Sequence, residues 1–170
     1  DTNVNVLNFS IEKDFLHIEN LTENKYFGQG QTICFIDTGI HPHLDFIFPK
    51  SRIIKFIDLT HKNATPYDDN GHGTFVAGVC SGNGIFNKNF SGFATMSNII
   101  VIKALNEKGN SNSNIILDAM EWIYQNYKNY NISVVCMSFG ADSEYKINPM
   151  SNGAEALWKC GITVVCAAGN

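Results

Sequence analysis

Four predominantly apolar runs of about equal length constrain the fold of this chain more than any other feature of its sequence. They cover residues 31–37, 98–104, 132–138 and 162–168, and a more mixed run covers 52–58. Runs of this length without polar alternation are typical of strands that are covered on both faces, as in parallel sheets. Helical patterns alternate with the runs. The sequence therefore predicts an α/β fold with a mainly parallel central sheet flanked by helices.

Three stretches between the runs carry the spacing or the end signals of helices. One helix is expected over about 72–81, and a second should be capped at its start by Asn112 or Asn114. A short third helix over about 150–159 should end at Gly161. Core packing is the expected role of the apolar face of the second helix, which consists of Ile115, Ile116, Ala119, Trp122, Ile123 and Tyr127.

Length and charge narrow the class of protein. With 170 residues, the chain is long enough for one domain with a sizeable core. Its net charge of -4 argues against a general nucleic-acid binder, which would carry a basic face. No apolar run is long enough to span a bilayer, and the chain does not start with a secretory leader. We therefore predict neither a nucleic-acid partner nor a membrane partner.

The five cysteines indicate free thiols rather than a metal site or a disulfide framework. None of them forms a CxxC pair, which argues against zinc. Cys34, Cys136 and Cys166 lie inside apolar runs, where a free cysteine behaves as a small buried hydrophobe. The odd number of cysteines and these settings favour a reducing, cytoplasmic compartment, with a secreted protein as the alternative. A pairing of Cys160 with a distant thiol stays open.

Two residues whose ionisable side chains could take part in catalysis stand at the ends of predicted elements. Asp37 ends the first apolar run, and the carboxyl ends of strands in open α/β sheets face the ligand crevice. The alternative for Asp37 is an ordinary turn residue before Gly39. His72 stands between Gly71 and Gly73, which leave the imidazole and any bound backbone unobstructed. A lone histidine is most often an ordinary core or surface residue, so a functional interpretation depends on the combination with Asp37.

The neighbours of His72 predict how its helix begins and packs. Small residues should let the helix lie close against another segment, and these are Gly73, Ala77 and Gly78. Polar residues before the helix can cap its positively polarised start, and these are Asp68, Asp69 and Asn70. Both features would hold the imidazole in a defined position.

Metal binding is not expected from this sequence. His41 and His43 lie near Asp45, but a proline between the two histidines favours a turn over a metal site. The loop over 82–90 has no carboxylate and carries Lys88, which makes it a poor site for a hard cation such as calcium. We therefore predict no metal at either loop.

Four stretches of the chain resemble motifs of the subtilisin family of serine proteases (subtilases). Residues 36–40 resemble the segment of the catalytic acid, and residues 70–78 resemble the segment of the catalytic base. Residues 137–140 resemble the substrate-binding strand, and residues 167–170 resemble the segment of the oxyanion donor. The order of acid before base is the subtilase order. The resemblance implies a three-layer subtilisin-like fold.

The resemblance also implies a division of the chain. Residues 1–27 would form an N-terminal extension, and residues 28–170 the N-terminal part of a peptidase domain that is incomplete on its C-terminal side. Residues 65–72 and 81–84 are most similar to bacterial subtilases of the intracellular type. The last apolar run should then lie at an unprotected sheet edge unless the rest of the domain covers it.

Specific roles follow from the resemblance. Asp37 would orient the imidazole, His72 would act as general base and then general acid, and the amide of Asn170 would donate to the oxyanion. An extended polypeptide substrate would pair with two backbone edges and fill apolar pockets. The residues implied for substrate binding are Leu105, Gly109, Ser138, Phe139 and Gly140. No cofactor is implied at these residues, although calcium could bind elsewhere in the complete domain.

The nucleophile that the resemblance requires is missing. No serine of this chain has the neighbours that the family's catalytic serine has, so the serine is expected beyond Asn170. The piece alone should lack activity and should depend on the rest of its own domain. One alternative is a pseudoprotease that lost the serine and kept a binding or regulatory role. Another is a nucleotide- or cofactor-binding domain with Asp37 on a ribose, against which the lack of a GxGxxG or P-loop motif argues.

Overall fold

Five parallel strands form one sheet in the computed structural model, which describes residues 25–140 and 149–167. The order across the sheet is β2-β3-β1-β4-β5, so the first strand of the chain is the central one. All four pairings are parallel, as the sequence predicts. The strands are β1 (Thr32–Asp37), β2 (Ile53–Asp58), β3 (Asn98–Lys103), β4 (Ile132–Met137) and β5 (Thr163–Cys166).

The helices lie between the strands in sequence. They are α1 (Leu44–Ile47), α2 (His72–Ser81), α3 (Ser113–Tyr130) and α4 (Pro149–Lys159), with a 3-10 turn at Lys88–Phe90. Asn112 caps α3, since its side chain accepts from the Ile115 N–H, and Asn114 is already helical. Gly161 ends α4 in a left-handed conformation, as predicted. The start of α1 differs from the loop predicted over 41–45, because so short a helix shows no periodicity in the sequence.

Two hydrophobic clusters cover the two faces of the sheet and make the fold three-layered. One joins β1 and β3 to the helices α3 and α4, and its members include Cys34, Ile36, Ile102, Ile123 and Leu157. The other joins the opposite face of the same strands to α1 and α2, and its members include Ile33, Phe35, Val101, Phe46 and Ala77. Successive residues of β1 therefore serve opposite layers, as the pleat of a strand requires.

The strand β5 is less buried than its apolar sequence predicts. Within the residues described, it pairs only with β4, and Val165 is 49% exposed. The expected burial of Cys166 is wrong, because this thiol lies on the exposed edge strand, whereas Cys34 is buried and Cys136 half-buried. All five cysteines are free. None of the helices described here is both long and apolar enough to cross a membrane.

Candidate active site

Asp37 and His72 meet at the carboxyl edge of the sheet. Asp37 is the last residue of β1, and its side chain is 2% exposed; His72 is the first residue of α2, and its side chain is 45% exposed. Asp37 Oδ1 lies 2.7 Å from His72 Nδ1, which is the contact expected from the sequence. A carboxylate can only accept hydrogen bonds, so Nδ1 carries the proton. The neutral ring then keeps a lone pair on Nε2 that can accept a proton from another group.

The turn after β1 is tied to the start of α2 through Thr38. The Thr38 N–H donates to Asp37 Oδ1 at 2.7 Å, which fixes the carboxylate from its own side of the chain. Thr38 Oγ1 accepts from the Gly73 N–H and donates to Asp68 Oδ1, both at 2.9 Å. The acid and the histidine are therefore held by a shared set of hydrogen bonds.

Asp68 is the residue that caps α2. Its Oδ1 accepts from the Gly71 N–H at 2.9 Å, and its Oδ2 accepts from the N–H and the hydroxyl of Thr74 at 2.9 and 2.6 Å. Burial by itself would raise the pKa of Asp68, but these hydrogen bonds and that from Thr38 outweigh it and lower the pKa. The capping prediction is thus confirmed for Asp68. Asn70 Oδ1 accepts a further hydrogen bond from the His72 N–H at 3.2 Å.

Glycines around His72 serve different purposes. Gly71 has a φ of 101° in the left-handed region, which lets the chain turn sharply into α2. A Cβ atom at Gly73 would collide with the carbonyl oxygen of Gly39, so this helix approaches the turn as closely as predicted. The same expectation is wrong for Gly78, because no atom lies within 4 Å of a Cβ placed there.

The predicted substrate-binding residues come together around one cleft, with one exception. Leu105, Gly109, Phe139 and Gly140 contribute to the lining of a cleft of about 330 Å³. Ser138 does not line this cleft; it follows β4, and its Oγ lies 3.4 Å from the sulfur of Cys136.

A second cleft lies beside the first. It has about 190 Å³, shares Phe139 and Gly140, and extends to Cys166 and Ala167. Asn70 links the histidine loop to the segment between Leu105 and Gly109, two residues that line the first cleft, since its Nδ2 donates to the Glu107 carbonyl at 2.9 Å. The clefts and the Asp37–His72 pair are therefore parts of one connected region.

Three further predictions concern Asn170, His43 and metal binding. Asn170 is outside the residues that the structure describes. His43 caps the short helix α1, since its Nδ1 accepts from the Asp45 N–H at 3.2 Å. Among residues 25–140 and 149–167, no group of three or more histidine, cysteine, aspartate or glutamate side chains is arranged to hold a metal ion.

Two buried charged residues near the site were not predicted. Asp58 ends β2 and accepts from several backbone N–H groups and from the Tyr67 hydroxyl at 2.8 Å. Lys103 ends β3 and is fully buried. A signal for both exists in the sequence, because each is a charged residue at or next to the end of a run that is expected to form a strand. Their partners could not be inferred, because these come from other segments.

Comparison with known proteins identifies relatives of this chain. A model of the subtilase family matches residues 28–170. The chain is 38% identical over 152 residues to the serine protease AprX of Bacillus subtilis (strain 168), and the aligned region covers 84% of this chain and 34% of AprX. It is 34% identical over 157 residues to subtilisin-like protease 3 of Pseudogymnoascus destructans, covering 90% of this chain and 36% of that protein. The chain thus spans about a third of the length of these relatives.

Solved structures share the fold. The CspB protease of Clostridium perfringens superposes with a TM-score of 0.75 at 25% identity, over 90% of this chain and 38% of that one. A cold adapted subtilisin-like serine proteinase superposes with a TM-score of 0.69 at 28% identity, over 86% of this chain and 49% of that one. Both likenesses support the three-layer α/β architecture described above.

Proposed function

The chain belongs to the subtilase family of serine proteases, and from this premise we propose that the protein is a serine endopeptidase in which Asp37 and His72 are two members of an Asp-His-Ser triad. One observation carries the proposal, namely the 2.7 Å hydrogen bond between Asp37 Oδ1 and His72 Nδ1. The buried acid fixes the tautomer of the ring, and the half-exposed imidazole remains within reach of a substrate.

The chemistry assigned to this pair is acyl transfer. As a serine Oγ attacks the carbonyl carbon of the peptide, His72 Nε2 takes the hydroxyl proton, and Asp37 stabilises the imidazolium that forms. The tetrahedral intermediate collapses when the C–N bond breaks and the imidazolium returns the proton to the leaving amine. A water then attacks the acyl-enzyme through the same base, which releases the acid product and the serine.

The remaining catalytic parts belong to the end of this chain and beyond it. We assign the oxyanion donor to the side-chain amide of Asn170, in line with the motif over 167–170. We assign the nucleophile to a serine that follows Asn170, because no serine among these 170 residues has the expected neighbours. On this proposal, residues 28–170 form the N-terminal part of the peptidase domain and require its remainder for activity.

The substrate is proposed to be an extended polypeptide. Its backbone would pair with the segments around Gly109 and around Ser138–Gly140, and an apolar side chain would enter the cleft between Leu105 and Phe139. No metal or cofactor takes part in the steps above. We further propose a reducing, cytoplasmic location, which the free state of all five cysteines supports.

Two alternatives make different predictions. A pseudoprotease would keep the Asp37–His72 pair and lack a serine in the rest of the protein. A nucleotide-binding domain would need an exposed acid for a ribose, but the Asp37 side chain is 2% exposed, and its Oδ1 is taken by His72 and Thr38. We therefore favour the endopeptidase.

The test uses the full-length protein and a fluorogenic peptide with apolar side chains. We expect His72→Ala to lower kcat/KM by about 10⁴-fold or more. A matched control is His61→Ala, since His61 is an exposed histidine whose ring contacts Tyr67 rather than Asp37. This control should keep kcat/KM within about twofold of the parent protein.

A fluorophosphonate label separates the endopeptidase from the pseudoprotease. In the endopeptidase, the label should attach to one serine after residue 170 and should fail to attach in the His72→Ala protein. Unlabelled and inactive wild-type protein would contradict the proposal, and so would equal activities of the His72→Ala and His61→Ala proteins.

A further inference from the structure

Lys103 is a cation in the interior of the domain. It ends β3, where it pairs in register with Asp37 of β1, and its exposed fraction is 0%. A fully buried lysine is costly unless its ammonium group is paired and hydrogen-bonded. Its neighbours therefore indicate what the charge is used for.

Three oxygen atoms surround the ammonium group. Nζ donates to the Thr38 carbonyl at 2.6 Å and to the Leu105 carbonyl at 3.0 Å, and it forms an ion pair with Asp69 Oδ1 at 2.6 Å. The ring of Tyr67 adds a cation–π contact, with Nζ 5.1 Å from the ring centroid. These acceptors satisfy all N–H donors of the ammonium group.

Each acceptor comes from a different segment of the site. Thr38 follows Asp37 directly and donates its N–H to the Asp37 carboxylate. Asp69 lies in the loop that leads into His72, and Leu105 lines the cleft beside Phe139. One side chain therefore joins the segments of the acid, of the base and of the cleft wall.

We propose that Lys103 is a positioning residue that holds these three segments in the arrangement that catalysis requires. The inference rests on the proposed function, because it assigns a role within the same site. The hydrogen bonds of Lys103 Nζ go to Thr38, Asp69 and Leu105 and not to His72, so its effect on the site is exerted through these three residues. An error of about 1 Å in the geometry of reacting groups can lower a rate by about a hundredfold.

A purely structural role is the alternative, and Arg52 provides a matched control for it. Its guanidinium group also donates to carbonyl oxygens of three segments, at 2.6 Å to Asp45, 2.6 Å to Ser81 and 3.2 Å to Ser97. Ser81 lies at the opposite end of α2 from His72, and neither Asp45 nor Ser97 belongs to a segment that contributes Asp37. None of the three residues lines the cleft of Leu105. Loss of Arg52 should therefore destabilise the fold without disturbing the site.

The experiment compares Lys103→Met and Arg52→Met in the full-length protein. Both variants should lower the urea midpoint of unfolding, and all kinetics are measured where each is folded. We expect Lys103→Met to lower kcat by about tenfold or more with KM within about threefold, and Arg52→Met to leave kcat within about twofold. Equal kcat values for the two variants would overturn the proposal.

Asp69→Ala carries the test if Lys103→Met does not fold. Asp69 itself is 32% exposed, and its truncation removes only the link to the histidine loop, because Lys103 Nζ keeps the Thr38 and Leu105 carbonyls as acceptors. We expect kcat to fall about threefold to tenfold, again without a matching rise in KM. An unchanged kcat would overturn the proposal.

A second measurement does not depend on activity. The low-field proton resonance of His72 Nδ1–H reports the hydrogen bond to Asp37, and it should shift or broaden in Lys103→Met and in Asp69→Ala but not in Arg52→Met. If wild-type protein proves inactive, the proposed function fails, and this resonance alone decides the role of Lys103. A resonance that is identical in all these proteins would then overturn it.

Discussion

The contact between α2 and the turn after β1 allows one quantitative prediction about Gly73. A Cβ atom there would overlap the Gly39 carbonyl oxygen, and it would lie 3.1 Å from both Cβ and Oδ1 of Asp37. A backbone carbonyl cannot rotate away as a side chain can. Gly78 lies in the same helix, where an added Cβ atom meets nothing within 4 Å. The two glycines thus form a matched pair for substitution by alanine.

The expected changes in the free energy of unfolding have opposite signs for Gly73→Ala and Gly78→Ala. Overpacking of a close contact costs about 1–3 kcal/mol, and the rigid partner at Gly73 favours the upper end. Alanine in place of a helical glycine gains about 1 kcal/mol or less. Gly73→Ala should therefore destabilise the protein by about 2 kcal/mol, whereas Gly78→Ala should stabilise it by up to about 1 kcal/mol. The difference of about 3 kcal/mol measures the steric cost alone.

Equilibrium unfolding in urea, followed by circular dichroism, measures both values in one background. The slope of the unfolding free energy should be the same for the two variants, so that midpoints can be compared directly. The full-length Gly73→Ala protein should also lose peptidase activity, because the new Cβ atom presses on Asp37. A Gly73→Ala protein as stable as Gly78→Ala would refute the reasoning.

Three further predictions concern stability. Burial by itself would raise the pKa of Asp58, but the hydrogen bonds that it accepts outweigh burial and lower the pKa, so Asp58 stabilises the fold above its unfolded pKa of about 4 and loses this effect as the pH falls through the native pKa. Asp58→Asn should therefore lower the stability at neutral pH, and the unfolding midpoint of this variant should fall less steeply below about pH 4 in an acid titration. Asn112→Ala should cost about 1 kcal/mol in urea unfolding, because the Ile115 N–H loses its cap; an unchanged midpoint would contradict the capping role. We expect no calcium at the loop after α2, because the Lys88 ammonium group already donates to the Asn83 carbonyl there at 3.1 Å. Chelator and added calcium should therefore leave the melting temperature of the complete domain unchanged, and a large calcium-dependent rise would contradict this prediction.

Local patterns and the motif resemblance were enough to predict the five strands, the three longer helices and the contact between Asp37 and His72. The apolar runs located β1 and β3 to within a residue, because both strands are buried on two faces. Asp37 and His72 could be paired because one ends a strand and the other begins a helix, which are positions that a parallel sheet brings to the same edge.

Features that depend on which segments meet could not be predicted. The sequence offers three capping residues before α2; in the structure, Asp68 and Asn70 accept from N–H groups at its start, whereas Asp69 pairs with Lys103. The burial of β5 was overestimated because an apolar run does not reveal whether both of its sides are paired. Lys103 was overlooked because its acceptors follow from the position of β1 beside β3.

The strand order has a consequence for how the chain folds. β1 is the central strand, yet Thr32 pairs with Asn98 on one side and with Ile132 on the other. Contacts between residues so distant in sequence require the closure of long loops, and the entropy of closure is lost before the contacts stabilise the chain. This order of events slows folding. At about 5–20 residues per second, synthesis from Thr32 to Asn98 takes on the order of 3–13 seconds. During that time, the apolar segment of β1 has no neighbouring strand to pair with on either side.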